Sequence, residues 1–239
     1  MTNNSQHHEN YRTMKPAAPG PQQAAQQAGQ AMPGTLCLVI VLDVTQSMQP
    51  YIDAVRNALL KMLDILTEGQ LHTTLGAVFF RDERIGEEAE IHALGVSPEA
   101  MRDALRSTPA TGGGDVPESS LPAIAQALRM LAGAPTGAHR MVLHITDAPC
   151  HDPEEGHTAR SVLDALAGGQ VVYFACTPEI EPYKSFATAT GGMLFPIAAD
   201  LRQDTFESVL LSVAHYTART FQASHIMVSD EVRKILDDA

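Results

Sequence analysis

Leu36-Cys37-Leu38-Val39-Ile40-Val41-Leu42-Asp43-Val44-Thr45-Gln46-Ser47 is the stretch from which the rest of the chain can be read. Its first seven residues are apolar without a break. A strand with one wet face alternates polar and apolar residues. An unbroken apolar run fits a strand covered on both faces, as in the centre of a parallel sheet with helices packed on either side. The run stops at Asp43, and Thr45 and Ser47 follow at alternate positions. The strand therefore ends in three oxygen-bearing side chains.

Downstream the apolar period changes. Ile52, Val55, Leu59, Met62 and Leu66 recur every three or four residues, which predicts a helix over about 50–67 with one buried stripe. Residues 74–80 read as a second strand and 91–94 as a short edge strand. Ser97-Pro98-Glu99 is a helix start, a capping residue followed by proline in the first turn, and that helix runs to about residue 106. A glycine loop over 111–117 leads into a helix over 119–131. Strands follow at 141–146, 171–176 and 193–197, with helices near 157–167, 179–190 and 204–221. Alternating strands and helices predict an α/β fold, a doubly wound, mostly parallel central sheet flanked by helices.

The 239 residues, 44% of them apolar, suffice for one good core. Residues 1–33 are rich in Gln, Ala and Pro and carry too few large apolar side chains to offset the entropy of ordering, so they read as a flexible tail. The folded domain is expected over 34–224. Residues 225–239 form a C-terminal extension, in which 230–238 reads as a frayed end or a short docking helix.

A net charge of -12 with only 16 Lys and Arg repels phosphate backbones and makes nucleic acid a poor partner. No apolar run approaches the roughly 20 residues that span a bilayer. The N-terminus shows no apolar signal segment, and three widely spaced cysteines form no disulfide framework. The expectation is a reduced, cytoplasmic protein.

In open α/β sheets, ligands bind beyond the carboxyl ends of the strands. Three segments fall there. Asp43, Thr45 and Ser47 stand at i, i+2 and i+4, and a turn leaving a strand can aim all three at one point. Thr111-Gly112-Gly113-Gly114-Asp115-Val116-Pro117-Glu118 allows close backbone approach and then brings two carboxylates to a helix start. Ile145-Thr146-Asp147 ends another buried strand. Carboxylate and hydroxyl oxygens are the donors Mg²⁺ prefers. Taken singly, each segment reads as well as an Asx-turn, a glycine turn or a helix cap. Together they favour a metal. No Lys follows the glycines as a phosphate-binding loop requires.

VLDVTQSM (41–48), TGGGDVPE (111–118) and HITDAP (144–149) resemble the three loops of the metal-ion-dependent adhesion site in von Willebrand factor A domains. The resemblance covers about residues 35–222. Thr45 stands where the usual pattern has its first Ser, and Asp115 where many A domains have a Thr. The Asp-x-Pro-Glu form is similar to the integrin β-subunit version. It also resembles intracellular, bacterial-style A domains of the alpha-kinase-linked type.

The resemblance implies that Thr45, Ser47 and Glu118 touch Mg²⁺ or Mn²⁺ directly and that Asp43 and Asp147 act through water. Asp115 would lie one layer out or hold a second cation such as Ca²⁺, with the choice among Thr111, Asp115 and Glu118 left open. It further implies a non-enzymatic module whose protein partner donates an acidic residue to the metal.

Two rivals remain. A phosphotransfer enzyme also starts from an Asp at the end of the first strand, but Thr45 occupies the place of the second Asp in an Asp-x-Asp motif. No Gly-x-Ser-x-Gly elbow is present either. The other rival is an A-type scaffold without a functional metal. Cys150-His151, with His144 and His157, raises a zinc site or a thiol nucleophile, against which a structural role is the better reading. The acidic stretch 81–90 reads as a solvated loop or strand edge, and Phe80-Arg81-Asp82 as a rim of the site or plain surface.

Overall fold

The computed structural model describes residues 35–68, 72–114, 116–154, 156–197 and Ser208. The predicted tail, the C-terminal extension, Asp115 and, apart from Ser208, the helix expected over 204–221 lie outside the described residues.

Six strands form one sheet: β1 (Thr35–Asp43), β2 (His72–Phe80), β3 (Glu90–Val96), β4 (His139–Ile145), β5 (Val171–Thr177) and β6 (Leu194–Pro196). Their spatial order is β3-β2-β1-β4-β5-β6. All neighbours are parallel except β2 and β3, which run antiparallel. The expected α/β doubly wound sheet is what the chain forms, and the edge strand is longer than the predicted four residues.

Every residue of β1 is buried, as its unbroken apolar run requires. Leu36, Leu38, Ile40 and Leu42 enter one core cluster, while Cys37, Val39 and Val41 enter the other. The period of two thus sorts one strand between two cores. On the first face lie α1 (Ile52–Glu68), through Val55, Leu59 and Met62, and α2 (Pro98–Ser107), through Met101 and Leu105. On the second lie α3 (Ser120–Ala132), α4 (Ala159–Gly168) and α5 (Tyr183–Thr190). Ser97 caps α2 by accepting from the Ala100 N–H at 3.1 Å, and Thr158 caps α4 with Ser161 in a reciprocal box.

The helix predicted over 179–190 begins only at Tyr183. Pro182 disfavours helical backbone at Glu181 before it, so the prolines at 178 and 182 hold back the start. The last strand is likewise shorter than expected, at three residues.

The order places the switch in winding direction between β1 and β4. Asp43 lies level with Phe80 at the end of β2, and Leu42 pairs with Ile145 at the end of β4. Asp43 and Thr146 therefore leave the sheet side by side, at the crevice where such sheets bind ligands.

Candidate metal centre

The first and third predicted segments meet there through side-chain hydrogen bonds. Thr146 Oγ1 donates to Asp43 Oδ2 at 2.6 Å, and Thr45 donates to Asp43 Oδ1 through both its N–H (2.9 Å) and its hydroxyl (2.7 Å). Ser47 Oγ donates to Asp147 Oδ1 at 2.8 Å, across 100 residues of sequence. Asp43, Thr45 and Thr146 are buried, Asp147 is half-buried and Ser47 is exposed. The cluster thus has a buried floor and an open top.

The second segment is tied to the first by its backbone. Gln46 N–H donates to Gly112 O at 3.0 Å and Thr111 N–H to Val44 O at 2.9 Å. Gly113 has φ +75°, and a Cβ there would stand 2.9 Å from Thr45 Cβ and 3.0 Å from Glu118 Oε1. The glycine leaves room for Glu118 to come up against Thr45. A cavity of about 300 Å³ opens among Thr45, Gln46, Ser47, Gly112–Gly114, Val116 and Glu118.

Gly113→Ala should cost about 1–2 kcal/mol from the left-handed backbone alone and push Thr45 away from Glu118. The expected result is a lower melting temperature together with weaker Mg²⁺ binding in a titration. An unchanged Mg²⁺ affinity would separate this loop from the ion.

Five of the six expected ligand residues are thus gathered at one edge of the sheet, the sixth being Asp115. Thr111 contributes its backbone, donating to Val44 and accepting from Arg81 Nε at 2.8 Å. Two further acidic residues belong to the surroundings, Asp82 from the stretch weighed as a rim of the site and Glu87, which the sequence did not single out. Asp82 is buried, and Glu87 Oε2 accepts from Gly113 N–H at 2.8 Å. Both come from the acidic stretch 81–90, which is therefore not merely solvated surface. A 3₁₀ turn at Glu83–Ile85, capped by Asp82, folds it back under the glycine loop.

The electrostatics are one-sided. Burial pushes the Asp43 carboxyl up to about 6 against the pull of the Thr146 and Thr45 hydrogen bonds. Burial, followed by the charges of Asp43, Asp82, Asp147 and Glu87, pushes Glu118 up to about 8. Glu118 Oε2 is buried with no hydrogen-bond partner.

These shifts fix the sign of a pH effect on the metal-free protein. Below about pH 4.5 Glu118 is protonated both folded and unfolded. Above that the unfolded chain releases the proton first, so the folded state loses stability as pH rises toward 8. Asp43 acts in the same direction, ending near 6. His144, which burial lowers to about 3, acts oppositely up to about 6.5. Between pH 6.5 and 8 Glu118 keeps that slope, and Glu154, whose carboxyl burial also raises, acts in the same direction. The metal-free melting temperature should fall across that window, and saturating Mg²⁺ should flatten the fall.

The donor set fits a hard cation. The Thr45 and Ser47 hydroxyl oxygens lie 3.0 Å apart. Two oxygens bound at adjacent octahedral positions of Mg²⁺, each about 2.1 Å away, stand about 3.0 Å apart. Each hydroxyl already directs its proton to a carboxylate, which leaves oxygen lone pairs to accept. The Glu118 carboxyl, with Oε1 on the Thr45 side of Gly113 and Oε2 without a partner, adds a carboxylate to the set.

The other polar candidates resolve differently. His144 is fully buried, 2.7 Å from Tyr173 Oη through Nδ1 and edge-on to Tyr183, so it is a packed, hydrogen-bonded core residue. Cys37 and Cys176 are buried in the two cores, as expected, and Cys150 is half-buried with its thiol pushed up to about 11, chiefly by burial. That is the opposite of what an activated nucleophile needs. No helix among the described residues is long and apolar enough to cross a membrane.

The profile of the von Willebrand factor A domain matches residues 37–199. The chain belongs to the von Willebrand factor A domain family. Comparison with curated proteins finds no match. Among solved structures, the A domain is similar to a von Willebrand factor type A protein from Catenulispora acidiphila (TM-score 0.61, 19% identity, 79% of this chain and 43% of that one). It is also similar to the pilus adhesin SpaC from Lactobacillus rhamnosus GG (TM-score 0.58, 15% identity, 81% of this chain and 31% of that one). A third likeness is to the SpRpn10 VWA domain (TM-score 0.56, 12% identity, 74% of this chain and 94% of that one). The chain spans less than half the length of the first two. At these identities the likeness is one of fold. A domains commonly serve as protein-interaction modules.

Proposed function

We propose that this A domain is a metal-dependent protein-binding module, with Mg²⁺ or Mn²⁺ held by Thr45, Ser47 and Glu118 and steadied by Asp43 and Asp147. The observation that carries the reading is the buried Glu118 carboxyl, its Oε1 on the Thr45 side of Gly113 and its Oε2 without a hydrogen-bond partner, among four other carboxylates. A buried anion so placed is stable only with a proton or a cation.

A bound divalent ion supplies concentrated positive charge to an incoming acidic side chain of a partner protein. The chain's own residues set how strong that attraction is. Asp43 orients the Thr45 hydroxyl and Asp147 orients that of Ser47. Two neutral hydroxyls and one carboxylate leave the ion's charge largely unquenched. Exposed Ile85 and Val116 beside the glycine loop give the partner an apolar foothold next to its acid. The three free cysteines suit a reduced, cytoplasmic setting.

The test is a melt of the full chain with Mg²⁺ or Mn²⁺, then with EDTA. At a hundredfold excess over Kd the ion should add about 2.7 kcal/mol, or about 5–10 °C, and EDTA should reverse the gain. A melt that ignores both ions contradicts the proposal. Hydrolysis of p-nitrophenyl phosphate with Mg²⁺, abolished by Asp43→Asn, would instead favour the phosphotransfer reading.

A further inference from the structure

We propose a second cation site, at Asp82, His151 and Glu154, suited to a nitrogen-binding divalent ion of the Zn²⁺ class. One ligand atom from each residue lies within 4.8 Å of the other two. Asp82 follows β2, and the other two come from the loop between β4 and α4. In sequence His151 stands beside Cys150 and near His144 and His157; the fold brings it instead to Glu154 and to Asp82, 69 residues away.

The cluster is more than an acidic patch, because two of its buried atoms have no partner. Glu154 is 3% exposed, with Oε1 accepting from Ser119 Oγ at 2.7 Å and lying 3.6 Å from Arg84 Nε. Its Oε2 is buried with nothing to accept from, and so is His151 Nε2. Asp82 is 1% exposed and accepts from Arg84 N–H through Oδ1 at 3.0 Å. Arg84 is the cation already present. Its half-exposed guanidinium engages Oε1 and the Pro153 carbonyl (3.1 Å), leaving Oε2 and the imidazole unanswered. One cation would satisfy both buried atoms.

The surrounding backbone holds the group in place. His151 N–H donates to Glu118 O at 3.3 Å, and Glu118 N–H donates to Pro149 O at 2.9 Å. Glu154 and His157 exchange two backbone hydrogen bonds, and Glu83 N–H donates to Ser119 Oγ at 2.8 Å. The donor set differs from that of the first site. One imidazole and two carboxylates suit Zn²⁺, which takes three protein ligands and keeps a fourth position open, whereas Mg²⁺ prefers oxygen alone.

The test is a calorimetric Zn²⁺ titration of the full chain with Mg²⁺ saturating, repeated with Co²⁺ and read by its visible absorption. Wild type should take up one Zn²⁺ tightly. His151→Ala and Glu154→Gln should each weaken that event by more than the roughly 10–100-fold that an outer partner alone is worth, and should bleach the Co²⁺ band. Titrations unchanged in both variants overturn the proposal and place the ion on other histidines. His151 is half-buried and outside both cores, so His151→Ala keeps the test valid if Glu154→Gln does not fold. The Mg²⁺ melt of each variant reads the first site separately, so either site can fail without the other.

Discussion

Asp43→Ala is expected to abolish the Mg²⁺-induced rise in melting temperature and to lower the metal-free melting temperature by about 5–15 °C. The second effect follows from burial. Asp43 is fully buried and accepts three hydrogen bonds, from Thr45 N–H, Thr45 Oγ1 and Thr146 Oγ1. Alanine strands those donors at the end of a central strand. A buried unsatisfied donor costs about 1–3 kcal/mol, but the hydroxyls can turn to other acceptors. The net loss should therefore be about 2–4 kcal/mol, which for a domain of this size gives the stated shift. The first effect follows from orientation. Without Asp43 the Thr45 proton has no fixed acceptor, and its oxygen is no longer presented to an ion beside Ser47. Melts of wild type and variant with Mg²⁺ and with EDTA check both effects. A variant that keeps its Mg²⁺ increment would make Asp43 purely structural.

Glu118→Gln should move the two quantities in opposite directions. Glutamine keeps the shape and removes the charge. At pH 7.5 the metal-free variant should melt higher than wild type, because folding no longer has to keep on Glu118 a proton that the unfolded chain has released, or else bury a fifth carboxylate beside four others. Its Mg²⁺ increment should be lost, because the only directly bound carboxylate is gone. An ordinary structural glutamate behaves otherwise: its removal lowers stability and leaves Mg²⁺ without effect. Melts at pH 5.5 and 7.5 sharpen the contrast, since the metal-free advantage of the variant should shrink at the lower value, where the unfolded glutamate lies nearer its own pKa and keeping the proton in the fold costs less. A variant less stable than wild type at both values would refute the assigned role.

Much of this was legible in the sequence because it follows from local pattern. The unbroken run of β1 announced a strand covered on both faces, and the stripe from Ile52 to Leu66 announced the helix beside it. The glycines of 112–114 announced a close approach, and Gly113 against Thr45 is one. What local pattern could not carry was register. That Thr146 binds Asp43 depends on β4 lying next to β1, a pairing between residues about 100 apart in sequence. Glu87 was hidden, and Asp82 left undecided between rim and surface, for a related reason. A run such as Arg-Asp-Glu-Arg reads as surface, and only the turn that folds it under the glycine loop buries Asp82. The Asp82–His151–Glu154 group combines both difficulties, since its members come from two loops and share no spacing.

The most direct test of the central claim is a crystal of the full chain soaked in Mn²⁺ and measured for anomalous scattering. The account predicts a peak about 2.1 Å from Thr45 Oγ1, Ser47 Oγ and a Glu118 carboxylate oxygen, with Asp43 and Asp147 still holding the two hydroxyls. No peak there at saturating Mn²⁺, with Glu118 simply protonated, would contradict it.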